Sequence, residues 1–114
     1  MKLNEIKNMQ VAKEMPLGTH EVTFKRIQYR TDAEENITGV FVHVEEYRSL
    51  FIPFFEQDNF QLDLLLNQLG CSSYDPDEIN ECKGVKIIAT RYKRGEYTNT
   101  SFNPNGAANE ETFA

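Results

Sequence analysis

Thiols and imidazoles are scarce in this sequence. Its only cysteines, Cys71 and Cys82, stand too far apart for a CxxC pair, and only His20 and His43 join them. No zinc-ligand spacing results, and each cysteine reads as a plain reduced thiol. No apolar run approaches a membrane span, and the opening MKLNEIKNMQ lacks the apolar stretch of a signal peptide. A cytoplasmic protein with no membrane partner is expected. Catalytic signatures are missing as well: there is no GxSxG, Walker motif, HExxH or glycine-rich phosphate loop. Glu45 and Glu46 are adjacent, but neighbours on a strand point to opposite faces and are poorly placed to share a proton. The acids between Asp75 and Glu81 lack EF-hand spacing and its glycine. Neither an enzyme nor a metal or cofactor site is expected.

What is present is a segregation of charge. The net charge is -6, which argues against indiscriminate nucleic-acid binding. Yet eight of the twelve Lys and Arg fall in two segments, Lys25–Arg30 and Lys83–Arg94. The second holds five cations and no acid, and GEYTNTSFNP follows it directly. The acids cluster elsewhere, at Asp32, Glu34 and Glu35 and again at Asp75, Asp77, Glu78 and Glu81. An acidic protein that gathers its cations on a strand pair has a local surface suited to an anionic partner.

The 114 residues suit one domain with a modest core. Residues 1–15 carry Leu3, Ile6, Met9 and Met15 at loose helical spacing, as a short helix or an arm. Pro16-Leu17-Gly18 forms a turn. His20–Arg30 reads as a strand whose phase changes at Lys25-Arg26, the mark of a bulge or bend. Ile37–Tyr47 alternates cleanly, with Val40, Val42 and Val44 on one face and Phe41, His43 and Glu45 on the other. Leu50–Phe55 is a third strand, kept to an edge or interrupted by Pro53. Within it Phe54 is expected in the core with Leu50 and Ile52; Phe51 or Phe55 is a candidate to face ligand, with extra core around the helix the favoured role for Phe55. Asp58 and Gln61 resemble a capping box ahead of a helix carrying Leu62, Leu65, Leu66 and Leu69, which Gly70 ends. Asp75-Pro76-Asp77-Glu78 opens one further helical turn. Val85–Tyr92 and Glu96–Phe102 form a hairpin through Arg94-Gly95. Residues 105–114 read as a flexible tail.

Three strands, a helix and two strands is the order of a five-stranded OB-fold, a Greek-key barrel with one helix between strands 3 and 4. An SH3-like barrel and another α+β domain are the alternatives. In an OB barrel the first strand lies beside the fourth. That arrangement is expected to join Lys25, Arg26 and Arg30 to Lys86, Arg91, Lys93 and Arg94 in one patch. Single-stranded DNA needs cations that track phosphates and flat side chains on which bases stack. Phe41 and His43 on the second strand, and Tyr92 and Tyr97 beside the hairpin, are the candidate stacking and edge residues.

The run Pro16-Leu17-Gly18-Thr19-His20-Glu21-Val22 resembles the P-x-G-T-[YH]-E-V opening of small phage-encoded proteins found among replication and recombination genes. Leu69-Gly70, Asp75-Pro76-Asp77-Glu78-Ile79 and Lys83-Gly84-Val85 are similar to their LG…DPEEL…GK-x-x-x-V segment. Gly95-Glu96-Tyr97-Thr98-Asn99, ending at Pro104, resembles their closing G-x-Y-x-N…P. The likeness covers residues 16–104 and implies an OB-fold protein of a phage or integrated element that binds single-stranded DNA. The acidic loop Thr31–Asn36 departs from the pattern, since a DNA-binding OB-fold often carries basic or aromatic residues there. The tail Glu110-Glu111-Thr112-Phe113-Ala114 is similar in kind to the acidic, Phe-containing tips by which bacterial single-stranded DNA-binding proteins recruit partner enzymes. A replication or recombination protein is thus a second expected partner, and a protein-interaction module is the alternative function. Edge strands also leave a homo-oligomer open.

Overall fold

The computed structural model describes residues 2–3 and 13–106. Between residues 13 and 106, five strands and two helices follow in chain order: β1 (Gly18–Thr31), β2 (Ile37–Val44), β3 (Leu50–Pro53), α1 (Phe60–Leu69), α2 (Pro76–Asn80), β4 (Lys86–Arg94) and β5 (Tyr97–Ser101). The strands form one antiparallel sheet in the order β3-β2-β1-β4-β5. Two findings correct the expected barrel with a single helix. Two helices precede β4, and the sheet is not closed: its edge strands β3 and β5 approach each other, but among the described residues no ladder joins them.

The long strand β1 organises everything else. Its first half, Gly18–Thr23, pairs with β4, and its second half pairs with β2. The register shifts between Phe24 and Arg26, where the alternation of the sequence changes phase. A bulge adds one residue to one strand, so side chains on either side of it keep facing the same way. Val22 and Phe24 before it, and Ile27 after it, are therefore all buried in one core. Val40, Val42 and Val44 of β2 and Leu50 and Ile52 of β3 complete the inner face. The bulge also bends β1 sharply enough to serve two neighbours in succession.

Helix α1 closes the core with Leu62, Leu65, Leu66 and Leu69, all buried. Each such burial stabilises by roughly 1.5–3 kcal/mol. Gly70 ends the helix in the left-handed conformation, φ 72°, and the Cys71 N–H returns to the Leu66 carbonyl at 3.0 Å. The expected capping box is absent. Asn59 is the N-cap and makes no side-chain cap bond, while the Gln61 Oε1 accepts from the Phe102 N–H at 2.7 Å. Gln68 does similar work one residue before the end of α1. Its amide accepts from the Ile88 N–H at 2.6 Å and donates to the Ile88 and Phe102 carbonyls at 2.8 and 2.7 Å. A helix thus supplies hydrogen bonds that the β4–β5 ladder leaves open around Phe102, which is fully buried.

Helix α2 is a single turn packed on β1. Asp75 caps it by accepting from the Asp77 N–H at 2.9 Å, with Pro76 at the first position. Asn80 at its end reaches the Ile27 N–H at 2.8 Å, satisfying a strand donor next to the bulge. Cys71 and Cys82 are free thiols, both half-buried; Cys71 donates to the Ser73 carbonyl at 3.5 Å, and burial, then Cys71, push the Cys82 thiol up. The third strand ends at Pro53, so Phe54 and Phe55 lie beyond it. Phe54 is only partly buried, edge-on to Tyr29 at 6.4 Å, and Phe55 is exposed instead of adding to the core. Gly106 is buried against the Thr19 and Thr90 hydroxyls. Most of the N-terminal arm, and the tail with Phe113, lie outside the described residues.

Candidate nucleic-acid interface

Side chains that do not enter the core point outward from β1, β2 and β3. The register arranges them in cross-strand rows: Arg26 beside His43, Gln28 beside Phe41 and then Phe51, and Arg30 beside Gly39 and then Pro53. Gly39 is the floor of this face. A Cβ there would lie 2.3 Å from a ring carbon of Phe51, so the ring lies over the bare backbone. The Arg30 guanidinium carbon stands 4.7 Å from the centre of the same ring. Its Nε donates to the Thr38 hydroxyl at 2.9 Å, which fixes the plane of the group. Phe41 packs on Phe51 with centroids 5.2 Å apart. The result is a layered cluster of Gly39 backbone, Phe51 ring and Arg30 guanidinium, with Phe41 alongside.

His43 sits at the next row. Its Nδ1 is 2.5 Å from the Ser49 hydroxyl and its Nε2 3.3 Å from Gln28 Oε1. With a carbonyl oxygen at Nε2, that nitrogen carries the hydrogen and Nδ1 accepts from Ser49. Partial burial, then Arg26 and Lys25, hold the imidazole below its ordinary pKa. His43 is therefore a neutral hydrogen-bonding group at neutral pH rather than a cation.

The expected single patch along the β1–β4 ladder does not form in that way. Lys25–Arg30 lies beyond the bulge, where β1 pairs with β2, while Lys86–Arg91 faces Gly18–Thr23. Two of the β4 cations are also engaged. Lys86 donates to the Thr23 hydroxyl at 2.7 Å and stands 3.9 Å from Glu46. Arg91 donates to the Met15 carbonyl at 2.8 Å and pairs with Glu14 at 3.4 Å. By contrast Lys25, Arg26, Arg30, Lys93 and Arg94 have no ion-pair partner among the described residues. The two basic groups meet by another route. Phe51, under Arg30, also lines a cleft of about 520 Å³ at the β3–β5 seam, together with Tyr92 and Arg94.

Tyr97 faces Arg94 across the hairpin and is 75% exposed. The turn between them, Gly95-Glu96, has Gly95 at φ 62°, a conformation that favours glycine at this first turn position. The acidic loop after β1 is tied into itself. Asp32 accepts from the Glu34 and Asn36 N–H groups at 2.8 and 3.0 Å, and those bonds, Asn36 first, hold its carboxyl below the usual range.

Phe51 is the residue that carries this geometry, and its own position in the sequence signals only an outward strand residue. Among the described residues no three His, Cys, Asp or Glu side chains are grouped to hold a metal ion, and no helix is long and apolar enough to cross a membrane. No family model matches this chain, and no curated protein does.

Proposed function

We propose that this chain is a non-catalytic single-stranded DNA-binding protein of a phage or integrated mobile element, acting in replication or recombination. The observation that supports it is the Arg30–Phe51–Phe41 cluster on the outer face of β1–β3. Aromatic rings offered with an unpaired cation on an otherwise acidic protein match what a phosphate–base chain needs. Stacking is worth about 1–3 kcal/mol per base and tolerates any base, so binding has little sequence preference. Lys25 and Arg26 extend the cationic side, and Lys93 and Arg94 lie beyond the seam. The finer fold reading is an OB-like barrel left open between β3 and β5. A strand β1 that pairs with both β2 and β4, with the helices ahead of β4, supports it, and the OB-fold is itself a partly open barrel whose β2–β3 face holds oligonucleotides.

Fluorescence anisotropy of labelled oligo-dT at low salt tests the proposal. Binding that weakens steeply with salt, through counterion release, is expected. Failure to bind, while a replication or recombination protein is retained from nuclease-treated lysate, turns the reading toward a protein-interaction module.

A further inference from the structure

The cleft at the β3–β5 seam is a second surface, distinct from the outer sheet face but continuous with it through Phe51. Two large apolar side chains on its walls are left in solvent, Phe55 at 60% and Phe60 at 57% exposure. Their backbone is fixed by a tight turn, in which the Asn59 Oδ1 accepts from the Phe55 N–H at 3.2 Å and the Asp58 Oδ1 from the Phe60 N–H at 3.1 Å. Opposite them stand Tyr92, Arg94 and Asn99. The Asn99 side chain is half-buried and has no hydrogen-bond partner among the described residues. Arg94 has no ion-pair partner there either.

We infer that this cleft is a pocket for one nucleotide of the strand held by the outer face, an inference that rests on the function proposed above. Each chemical part of a nucleotide has a counterpart. The rings offer flat apolar faces to a base, the Asn99 amide offers a donor and an acceptor to a base edge, and Arg94 offers a cation to a phosphate. The volume of about 520 Å³ falls among pockets that enclose small molecules. The one acid of the lining, Asp58, already accepts from a backbone N–H. Phe51 belongs to both surfaces, so a base laid on the Arg30 guanidinium above it has its neighbour in the strand directed toward the seam. A polar amide within hydrogen-bond reach of a base discriminates among bases in a way that stacking does not. One position of the bound strand therefore has a base preference.

The test uses the full chain and two probes. The four deoxynucleoside monophosphates are titrated singly while the Asn99 side-chain amide and the Phe60 ring are followed by NMR. Oligonucleotides are then measured by anisotropy with Asn99→Ala and Phe60→Ala. The expected result is that one or more mononucleotides shift both signals, unequally among the four bases. Either variant should weaken oligonucleotide binding about tenfold without changing its salt slope, because no cation is removed. Asn99→Ala alters an edge-strand side chain and carries the test if Phe60→Ala fails to fold. Oligonucleotide binding that both variants leave unchanged, with no mononucleotide shifts, overturns the pocket and leaves the outer-face reading standing. Absence of oligonucleotide binding by the unaltered chain overturns both. A cleft that ignores nucleotides and takes an aromatic peptide overturns the pocket in favour of a protein partner.

Discussion

Gly39→Ala is a one-carbon perturbation with a calculable consequence. The backbone at Gly39 has an ordinary negative φ, so alanine is conformationally acceptable. The new Cβ, however, would meet Phe51 ring carbons at 2.3 and 2.4 Å. The ring cannot stay, and it cannot move outward without displacing the Arg30 guanidinium 4.7 Å from its centre. Overpacking of this kind costs about 1–3 kcal/mol. Replacing glycine within a strand offsets about 0.5–1 kcal/mol of that. A net loss of about 1 kcal/mol remains at the middle of these ranges, or roughly 4 °C in melting temperature for a domain of this size, and about 2.5 kcal/mol at most. Binding suffers separately, because the displaced ring no longer holds the Arg30 guanidinium as the flat outer layer on which a base stacks. Losing one stacked base at about 1–3 kcal/mol weakens oligo-dT binding by about 5- to 150-fold. Thermal melts and anisotropy titrations read the two effects. The double variant Gly39→Ala with Phe51→Leu separates them, because the shorter side chain leaves room for the Cβ. It should melt near the Phe51→Leu single variant, while binding stays weak. A Gly39→Ala protein that melts and binds like the unaltered chain refutes the reasoning, since Phe51 would then not lie over Gly39.

Other outcomes follow from the same structure. Arg30→Ala should lower the salt slope of oligonucleotide binding by about 0.7 with little loss of stability. Arg91→Ala should do the reverse, because it strips the donor from the Met15 carbonyl and costs about 1–3 kcal/mol in a melt. His43 is held neutral by burial and by Arg26 and Lys25, so protonation below the ordinary histidine range adds a cation to the face. Affinity for oligo-dT should rise as pH falls there, and His43→Gln should flatten the profile. Stability moves oppositely: the depressed pKa contributes stability above about pH 6.5 that is lost as pH falls toward the folded value. The Tyr29 phenol is pushed up to about 12 by burial, then by Tyr74, Asp75 and Cys71. Its share of stability is present below about pH 10 and lost as pH rises toward 12. Tyr74, hydrogen-bonded to Asp63, is raised as well, so ultraviolet titration should show late tyrosines, of which Tyr29→Phe removes the one near 12.

Local chemistry was the legible part of this fold. The phase change at Lys25-Arg26 marks the bulge in β1, the Val40-Val42-Val44 alternation marks the inner face of β2, and the four leucines mark the buried stripe of α1. Gly70 and Asp75-Pro76 signal a helix end and a helix start through their own backbone and capping preferences. What escaped was set by partners distant in the chain. Gln61 sits at a capping-box position, yet its amide is taken by Phe102, 41 residues away. Lys86 and Arg91 look like phosphate ligands in a basic run, yet Glu46, Glu14 and a backbone carbonyl hold them. The Phe51 cluster depends on the β2–β3 register, which sets Phe51 opposite Phe41 and lets its ring lie over Gly39 one row away. The open seam lies between two short edge strands, β3 ending at Pro53 and β5 at Ser101, and no local signal announces that, among the described residues, they share no ladder.

The most direct measurement is an amide chemical-shift map of the isotopically labelled protein titrated with oligo-dT at low salt. The largest changes are expected at Arg26, Gln28, Arg30, Phe41, His43 and Phe51, on the outer face of β1, β2 and β3. Saturating DNA that moves the helices or the β1–β4 ladder while leaving those six residues in place would contradict the assignment of that face.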